Sequence, residues 1–392
     1  MDPVCDVLII GGGIAGLSLA SELAERRGSG AGIALAETEP ALAHHTSGRS
    51  AEQLIPSYGP APVRELTGAT VARLLDPRPA PSRPLAWPSR MVLVGTEERL
   101  RAEAAPGTEP LSRAELVELC PELACSPADV VEAGSLDSTS VRTDAAALVA
   151  WHHDRAAAAG ARLLTGAPVT AAEPDGAGWR VAAGAHRLRA RQVVVAAGAW
   201  ADAVAALFGA APLGLRPLRR TAALVRLAKP LAPDHPMVVA ADHGWYYRRA
   251  GDGALVSPSE AVPSEPCDAQ PVLEDVEDLL GRLNTVTSLG ATGIERAWTG
   301  LRTESPDGVP VCGTDPAVPG LVWLAGQSGY GFQTSTAMAR AAADVLLDGA
   351  VGPWCSPETA AALDPARFRA DPPTVRARRE PPRGAGASAP GS

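Results

Sequence analysis

The stretch "DVLIIGGGIAGLSLASELAERRG", residues 6–28, decides the fold. Val7 to Ile10 is a short unbroken apolar run, as expected of a strand buried on both faces. Three glycines end it, and Ile14, Leu17, Ala20, Leu23 and Ala24 then recur at helical spacing. Gly11, Gly13 and Gly16 therefore form G-x-G-x-x-G at the junction of a strand and a helix, the context that gives this pattern a mechanical meaning. Gly11 permits the tight turn, Gly13 puts no side chain in the way of a pyrophosphate, and Gly16 lets helix and strand pack closely. The helix N-terminus then faces the phosphates. A second strand, "GIALAE", ends at Glu37, about 20 residues further on, where a carboxylate accepts hydrogen bonds from an adenosine ribose.

The same design returns twice. "RQVVVAAGAWADAVAALFG" is a buried strand, Val193 to Ala197, opening through Gly198 into a short helix. "GLVWLAGQSGYGFQTSTAMARAAADVLLDG" is a strand from Leu321 to Ala325, a glycine-rich loop, and a helix from about residue 334 to 347. Three such turns predict one parallel sheet assembled from distant segments. Between them, "RMVLVG", "RRTAALVRL" and "WYYRRAGDGALVS" are short β-like runs of an antiparallel lobe. The predicted class is α/β: a Rossmann-like nucleotide-binding domain from residues 1–80, 140–210 and 305–365, interleaved with an antiparallel α+β substrate domain from 81–139 and 211–304. Residues 366–392, rich in Pro, Gly and Arg and without apolar periodicity, are expected to be a disordered tail.

Composition narrows the function. At 392 residues the chain exceeds the roughly 250–300 at which a single core stops growing, so two joined lobes are expected. A net charge of -9 and a pI of about 5.4 leave no basic field for nucleic acid or anionic lipid. The apolar start follows Asp2 and Asp6 and is broken by glycines, so it reads neither as a signal peptide nor as a membrane span, and a cytoplasmic protein is expected. The six cysteines, at 5, 120, 125, 267, 312 and 355, match neither a zinc pattern nor C-x-x-C, and the pairs His44–His45 and His152–His153 lack ligand spacing. Free thiols and no metal are the expectation.

The segment "HHTSGRSAEQLIPSYG", residues 44–59, makes the reading specific. With the glycine fingerprint, the acidic strand end and the closing G-Y-G-F-Q-T, it resembles the FAD-dependent D-amino acid oxidase-like superfamily over nearly the whole chain except its tail. "SGRSA", "SYG", "PLGLRPLRR", "WYY", "WTGLR" and "GYGFQTS" follow in the order of the bacterial D-arginine dehydrogenase type, with glycine oxidase-like oxidoreductases close by. The resemblance implies bound FAD. Gly11, Gly13, Ile14, Ala15, Gly16, Glu37 and Thr38 would hold its adenosine and pyrophosphate end, with Val169 on the adenine side. Thr46, Ser47, Gly48, Arg49, Ser50, Ala51 and Gln53 would wrap the pyrophosphate and approach the isoalloxazine. Ala197, Gly198 and Trp200 would also touch the cofactor. Ser328, Gly329, Tyr330, Gly331, Phe332 and Gln333 would lie beneath the ring, ahead of a helix opening at Thr334. Amides of that turn and the helix N-terminus suit the negative charge that reduced flavin carries at N1 and the C2 carbonyl.

In "WTGLRTESPDGVPVCG", residues 298–313, Arg302 matches an arginine that binds an amino acid carboxylate. Arg220 matches its partner, and Tyr58 and Tyr246 complete the clasp. The guanidinium fork fits both oxygens of a carboxylate. The implied reaction is hydride transfer from Cα to flavin N5, giving an imino acid that hydrolyses to a 2-oxo acid and ammonia. Arg90, Gln53 and Tyr330 are the expected substrate-pocket residues. Arg90 stands where the arginine-specific enzymes have a glutamate and Gln53 where they have a histidine, which predicts a substrate with an acidic or neutral polar far end. No cysteine stands where sarcosine-oxidase relatives attach flavin, so noncovalent FAD is implied. The electron acceptor, oxygen or another, stays open. So do two other readings: a biosynthetic amine oxidase or dehydrogenase acting on an N-substituted amino acid or secondary amine, and a flavin-binding subunit of an electron-transfer complex. An NAD-linked dehydrogenase is disfavoured by T-S-G-R-S.

Overall fold

The structure is a computed structural model describing residues 4–369. Strand Val4–Ile10 lies at the centre of an eight-stranded sheet, parallel to Ile33–Ala36 on one side and to His186–Val195 on the other. Arg162–Leu164 and Leu321–Ala325 extend the parallel core, while Val169–Asp175, Gly178–Ala183 and Val311–Thr314 pair antiparallel at its margins. Alternation explains the unbroken apolar run. Val7 and Ile9 pack under the helices Ile14–Arg27 and Ser335–Asp348, whereas Leu8 and Ile10 pack on the opposite side with Trp179, Ala201 and Phe208. Arg26 bonds Asp344 at 2.6 Å, tying the first of those helices to the last.

The second sheet has ten strands, running from Gln327–Ser328 through Ala291–Glu304, Arg216–Leu227, Gly253–Ser257 and Tyr246–Ala250 to Met237–Ala240, Met91–Gly95, Ala133–Asp137 and Glu109–Leu111. Val262–Pro263 adds to the Arg216–Leu227 strand. One pair departs from the antiparallel expectation: Met91–Gly95 runs parallel to Met237–Ala240. Helix Leu273–Val286 covers one face with Val276, Leu279 and Leu283. The opposite face carries Met91, Ala222, Met237, Tyr246 and Leu255, together with Ile55 from the first lobe. Gln53–Leu54, Val141–Thr143 and Ala86–Pro88 form a small third sheet, with Val141–Thr143 at its centre.

The expected tail begins too early at residue 366. Pro365–Phe368 is a turn of 3₁₀ helix whose Phe368 packs on the core. Arg367 donates to Asp307 at 2.8 Å and Arg369 to Asp315 at 3.1 Å. These partners lie some 54 to 60 residues away in the chain, which no local pattern reveals. Residues 370–392 lie outside the described residues. Among the described residues no helix is long and apolar enough to cross a membrane.

Candidate flavin cleft and carboxylate clasp

The first glycine turn is built as a close backbone contact. Gly11 has φ of 115°, and a Cβ there would sit 2.4 Å from the Ala196 carbonyl oxygen; one on Gly16 would sit 2.0 Å from the oxygen of Gly11. Helix Ile14–Arg27 has no acidic residue in its first turn. Ile14 N–H donates to Ser47 Oγ at 2.9 Å, and the next amides, of Ala15 and Gly16, are the unpaired donors a helix start always leaves. Glu37 is locked in place, its two oxygens accepting from Gly12 N–H at 2.6 Å and Glu39 N–H at 2.9 Å.

These groups open onto a cleft enclosing about 1420 Å³, part of it continuous with solvent. Gly11, Gly13, Ile14, Ala15, Glu37, Thr38, Thr46, Ser47, Val169, Ala197, Gly198, Trp200, Ser328 and Gly331 of the predicted set line it. Three buried polar atoms on lining residues make no hydrogen bond among the described residues: His45 Nδ1, Thr303 Oγ1 and Gln327 Nε2. Ser328 adopts φ of 50°, a left-handed conformation a serine rarely takes without support; its pairing with Thr303 holds it there. A cleft with a bare backbone cradle at Gly13, helix-start amides and the Glu37 carboxylate on its wall fits FAD.

The other predicted cofactor residues are placed elsewhere. Gly16 serves packing. Gly48 packs on the backbone, where a Cβ would lie 2.5 Å from the Ala43 oxygen. Arg49 points into the second lobe, donating to Thr299 O at 2.6 Å and Ala269 O at 2.9 Å and pairing with Asp268. Ser50 accepts from Glu52 N–H, and Ala51 packs beside the face that carries Tyr246. Phe332 is core, Gln333 donates to Thr67 Oγ1 at 3.0 Å, and Thr334 Oγ1 donates to Tyr330 O at 2.8 Å. The opening of helix Ser335–Asp348 is also engaged internally, with Ser335 N–H on Phe332 O and Ala337 N–H on Thr70 Oγ1.

The clasp lies where the two lobes meet. In the register of the long strands Arg220 faces Gly300, so Arg302, two residues further on, shares its face of the sheet. Arg220 donates through Nε to Glu260 O at 2.5 Å. Burial, then the neighbouring Arg302 cation, pushes the Arg220 pKa down to about 10, against the favourable influence of Tyr246, Tyr58 and Glu260. Arg302 rests on Gly329, where a Cβ would be 2.6 Å from its Nη1. It makes no ion pair among the described residues: Glu304 is taken by Arg216 at 2.9 Å and Asp307 by Arg367. Tyr246 is buried on the same sheet face. Tyr58 meets it from the first lobe, its ring 5.7 Å from that of Tyr330. Two guanidinium groups held side by side, neither in an ion pair among the described residues, are a candidate receptor for an anion.

Two pocket residues are not brought to the clasp. In the strand Met91–Gly95, Met91 and Leu93 pack toward Tyr246 while Val92 and Val94 pack away, and Arg90 goes with the latter. It donates to Asp234 O at 3.2 Å. Gln53 spends its amide on Ser89 O at 2.7 Å and Ser140 Oγ at 2.8 Å. An Arg90→Glu variant should therefore leave the KM for acidic, neutral and basic amino acids within about twofold, as surface changes away from a site do. Steady-state kinetics on that panel check this, and a new preference for cations would reverse the assignment.

Sequence reading missed Glu39, His44, His45, Leu301, Thr303, Gln327 and Glu260. His44 and His45 were weighed only as metal ligands, although they immediately precede Thr46. Leu301 and Thr303 could have been found from Arg302, since neighbours in a strand face the opposite side, and here that side is the cleft. Nothing local marks Glu260.

A nucleotide cleft on a parallel sheet, with two adjacent guanidinium groups on a second sheet, suits a flavin-dependent oxidoreductase. The chain belongs to the family described as DAO, FAD dependent oxidoreductase, whose model matches residues 6–345. A glycine oxidase of Geobacillus kaustophilus (strain HTA426) is 26% identical over 374 residues, covering 87% of this chain and 92% of that protein. A glycine oxidase of Bacillus licheniformis is 28% identical over 210 residues, and there the match spans about half of each chain, 50% and 53%. Among solved structures, the L-proline dehydrogenase from P. horikoshii shares the fold with a TM-score of 0.77 at 19% identity, over 94% of this chain and 99% of that one.

Proposed function

We propose that this FAD-dependent oxidoreductase oxidises the C–N bond of an amino acid whose carboxylate is held between Arg220 and Arg302. The observation that carries this reading is the pair of adjacent guanidinium groups, neither in an ion pair among the described residues, with Arg302 set between Leu301 and Thr303 of the cleft wall. The glycine oxidase relatives support an amino acid as substrate. Bound FAD supplies the hydride acceptor. The chain's own residues orient and select: the two arginines grip the carboxylate, Tyr246 and Tyr58 wall the pocket, and the packed sheet face keeps water from the reacting carbon. Buried Cys312, in the core under the first and last helices, supports noncovalent FAD.

Two nearby cations also disfavour an ammonium, so the bound amine is held neutral, with the lone pair that hydride loss requires. The rate of substrate-limited flavin reduction should therefore rise with pH to an alkaline plateau. A flat profile from neutral to alkaline pH, read by stopped flow, would rule this out.

Anaerobic titration of the purified protein tests the reading as a whole. One enantiomer of an amino acid, the D-series on the original resemblance, should bleach the visible flavin band. No bleaching by either series, in protein that dithionite still reduces, would favour the second reading, an N-substituted amino acid or secondary amine. The fold shared with an L-proline dehydrogenase lends that reading its support.

A further inference from the structure

On the face of the large sheet turned away from the clasp, Cys120, Glu122 and His235 bring a thiol sulfur, a carboxylate oxygen and an imidazole nitrogen within 4.8 Å of one another. Cys120 follows helix Arg113–Leu119, Glu122 sits in the turn Pro121–Leu123, and His235 precedes strand Met237–Ala240. The group is shielded: the side chains of His235 and Glu122 are 3% and 8% exposed, and Cys120 is fully buried.

With Glu122 ionised, a neutral His235 leaves the hydrogen bonds here unclosed. His235 Nδ1 lies 2.7 Å from the Pro236 carbonyl oxygen, which only accepts, so the ring proton belongs on Nδ1. Nε2 then carries a lone pair, yet it faces Glu122 Oε1 at 2.9 Å, an oxygen that also accepts the Tyr247 hydroxyl at 2.5 Å. A lone pair set against a carboxylate needs positive charge between them, either a further proton or a metal ion.

We propose that Cys120, Glu122 and His235 form a binding site for a divalent cation of the zinc type, with the Tyr247 hydroxyl held against the ligating carboxylate. The mixed sulfur, nitrogen and oxygen donor set is the one such ions take. A histidine that binds metal through one nitrogen commonly donates from the other to a carbonyl, as Nδ1 does here to Pro236. A thiolate and a carboxylate cancel a double positive charge, so the filled site is neutral and suits burial. Burial, then the neighbouring Glu122 carboxylate, pushes the Cys120 thiol well above its usual range against the weaker opposing pull of Arg90, so an ion that binds here must displace the thiol proton. When the ion binds, the Cys120 proton and any proton on His235 Nε2 pass to solvent, and no electron moves. The ion would brace the sheet from behind, since Glu122 O also accepts from Ser288 N–H at 2.9 Å, just beyond helix Leu273–Val286.

Metal analysis of the flavin-loaded full chain decides it. After chelation, re-equilibration with Zn²⁺ and gel filtration, the protein should retain about one ion per chain. Co²⁺ in its place should show a near-ultraviolet thiolate-to-cobalt band. Cys120→Ala, which removes no hydrogen bond of the triad, should lose the band and weaken Zn²⁺ binding at least about tenfold while keeping its flavin spectrum. His235→Gln should behave alike. Retention by the wild type no greater than by Cys120→Ala, or no cobalt band, overturns the proposal and leaves a proton in the gap.

Discussion

Arg302→Ala should lower kcat/KM for a carboxylate-bearing substrate by roughly 30- to 5,000-fold. Truncating one member of a desolvated charge pair costs about 2–5 kcal/mol, and each 1.36 kcal/mol is a factor of ten. Most of the loss should fall on KM, because the carboxylate neither makes nor breaks a bond and is gripped much alike before and during reaction. Arg302→Lys should land between the two, since an ammonium keeps the charge but not the two-pronged fork. Flavin content should be unchanged, which separates this outcome from misfolding. A variant whose kcat/KM stays within about threefold of wild type would remove Arg302 from the substrate site.

Gly11→Ala should yield protein without bound flavin. The alanine must hold φ near 115°, a strain of about 1–3 kcal/mol, and must also clear a carbonyl oxygen 2.4 Å away. The only relief is to part the strand Val4–Ile10 from the end of His186–Val195, which opens the cradle that the pyrophosphate would use. Gly28→Ala is the matched control. Gly28 caps the same helix at φ of 63° with nothing within 4 Å of its added Cβ, so that change should lower stability slightly and keep the yellow colour. Absorbance of the two purified variants gives the answer. Full flavin occupancy in Gly11→Ala would show that the turn is not part of the cofactor site.

What could be read without the structure is what short-range chemistry determines. The strand, the glycine turn and the helix of residues 6–28 follow from periodicity and from the conformational freedom of glycine, all within one stretch of chain. Glu37 at its strand end and the glycine turns at 198 and 326–331 are legible for the same reason. The α/β class and the flavin chemistry follow from these together.

Long-range placement was not legible. Arg90 could be assigned to the pocket only until the strand's alternation placed it with Val92, behind the sheet and beside Asp234. Arg49 and Gln53 belong to a segment that resembles a flavin clamp, yet their donors are consumed by carbonyls and hydroxyls more than 30 positions away. Residues 366–369 look like tail, yet are secured by acids brought in from another part of the fold.

The sequence by itself determined the parallel nucleotide-binding sheet, the cleft at its glycine turns and the presence of two candidate arginines, because each depends on residue type and spacing along a few turns of chain. Only the tertiary structure decided that Arg220 and Arg302 share one face beside that cleft while Arg90 does not. A strand's two faces differ by a single residue of register, and which face carries the arginines and which walls the cleft is set by how two interleaved lobes pack.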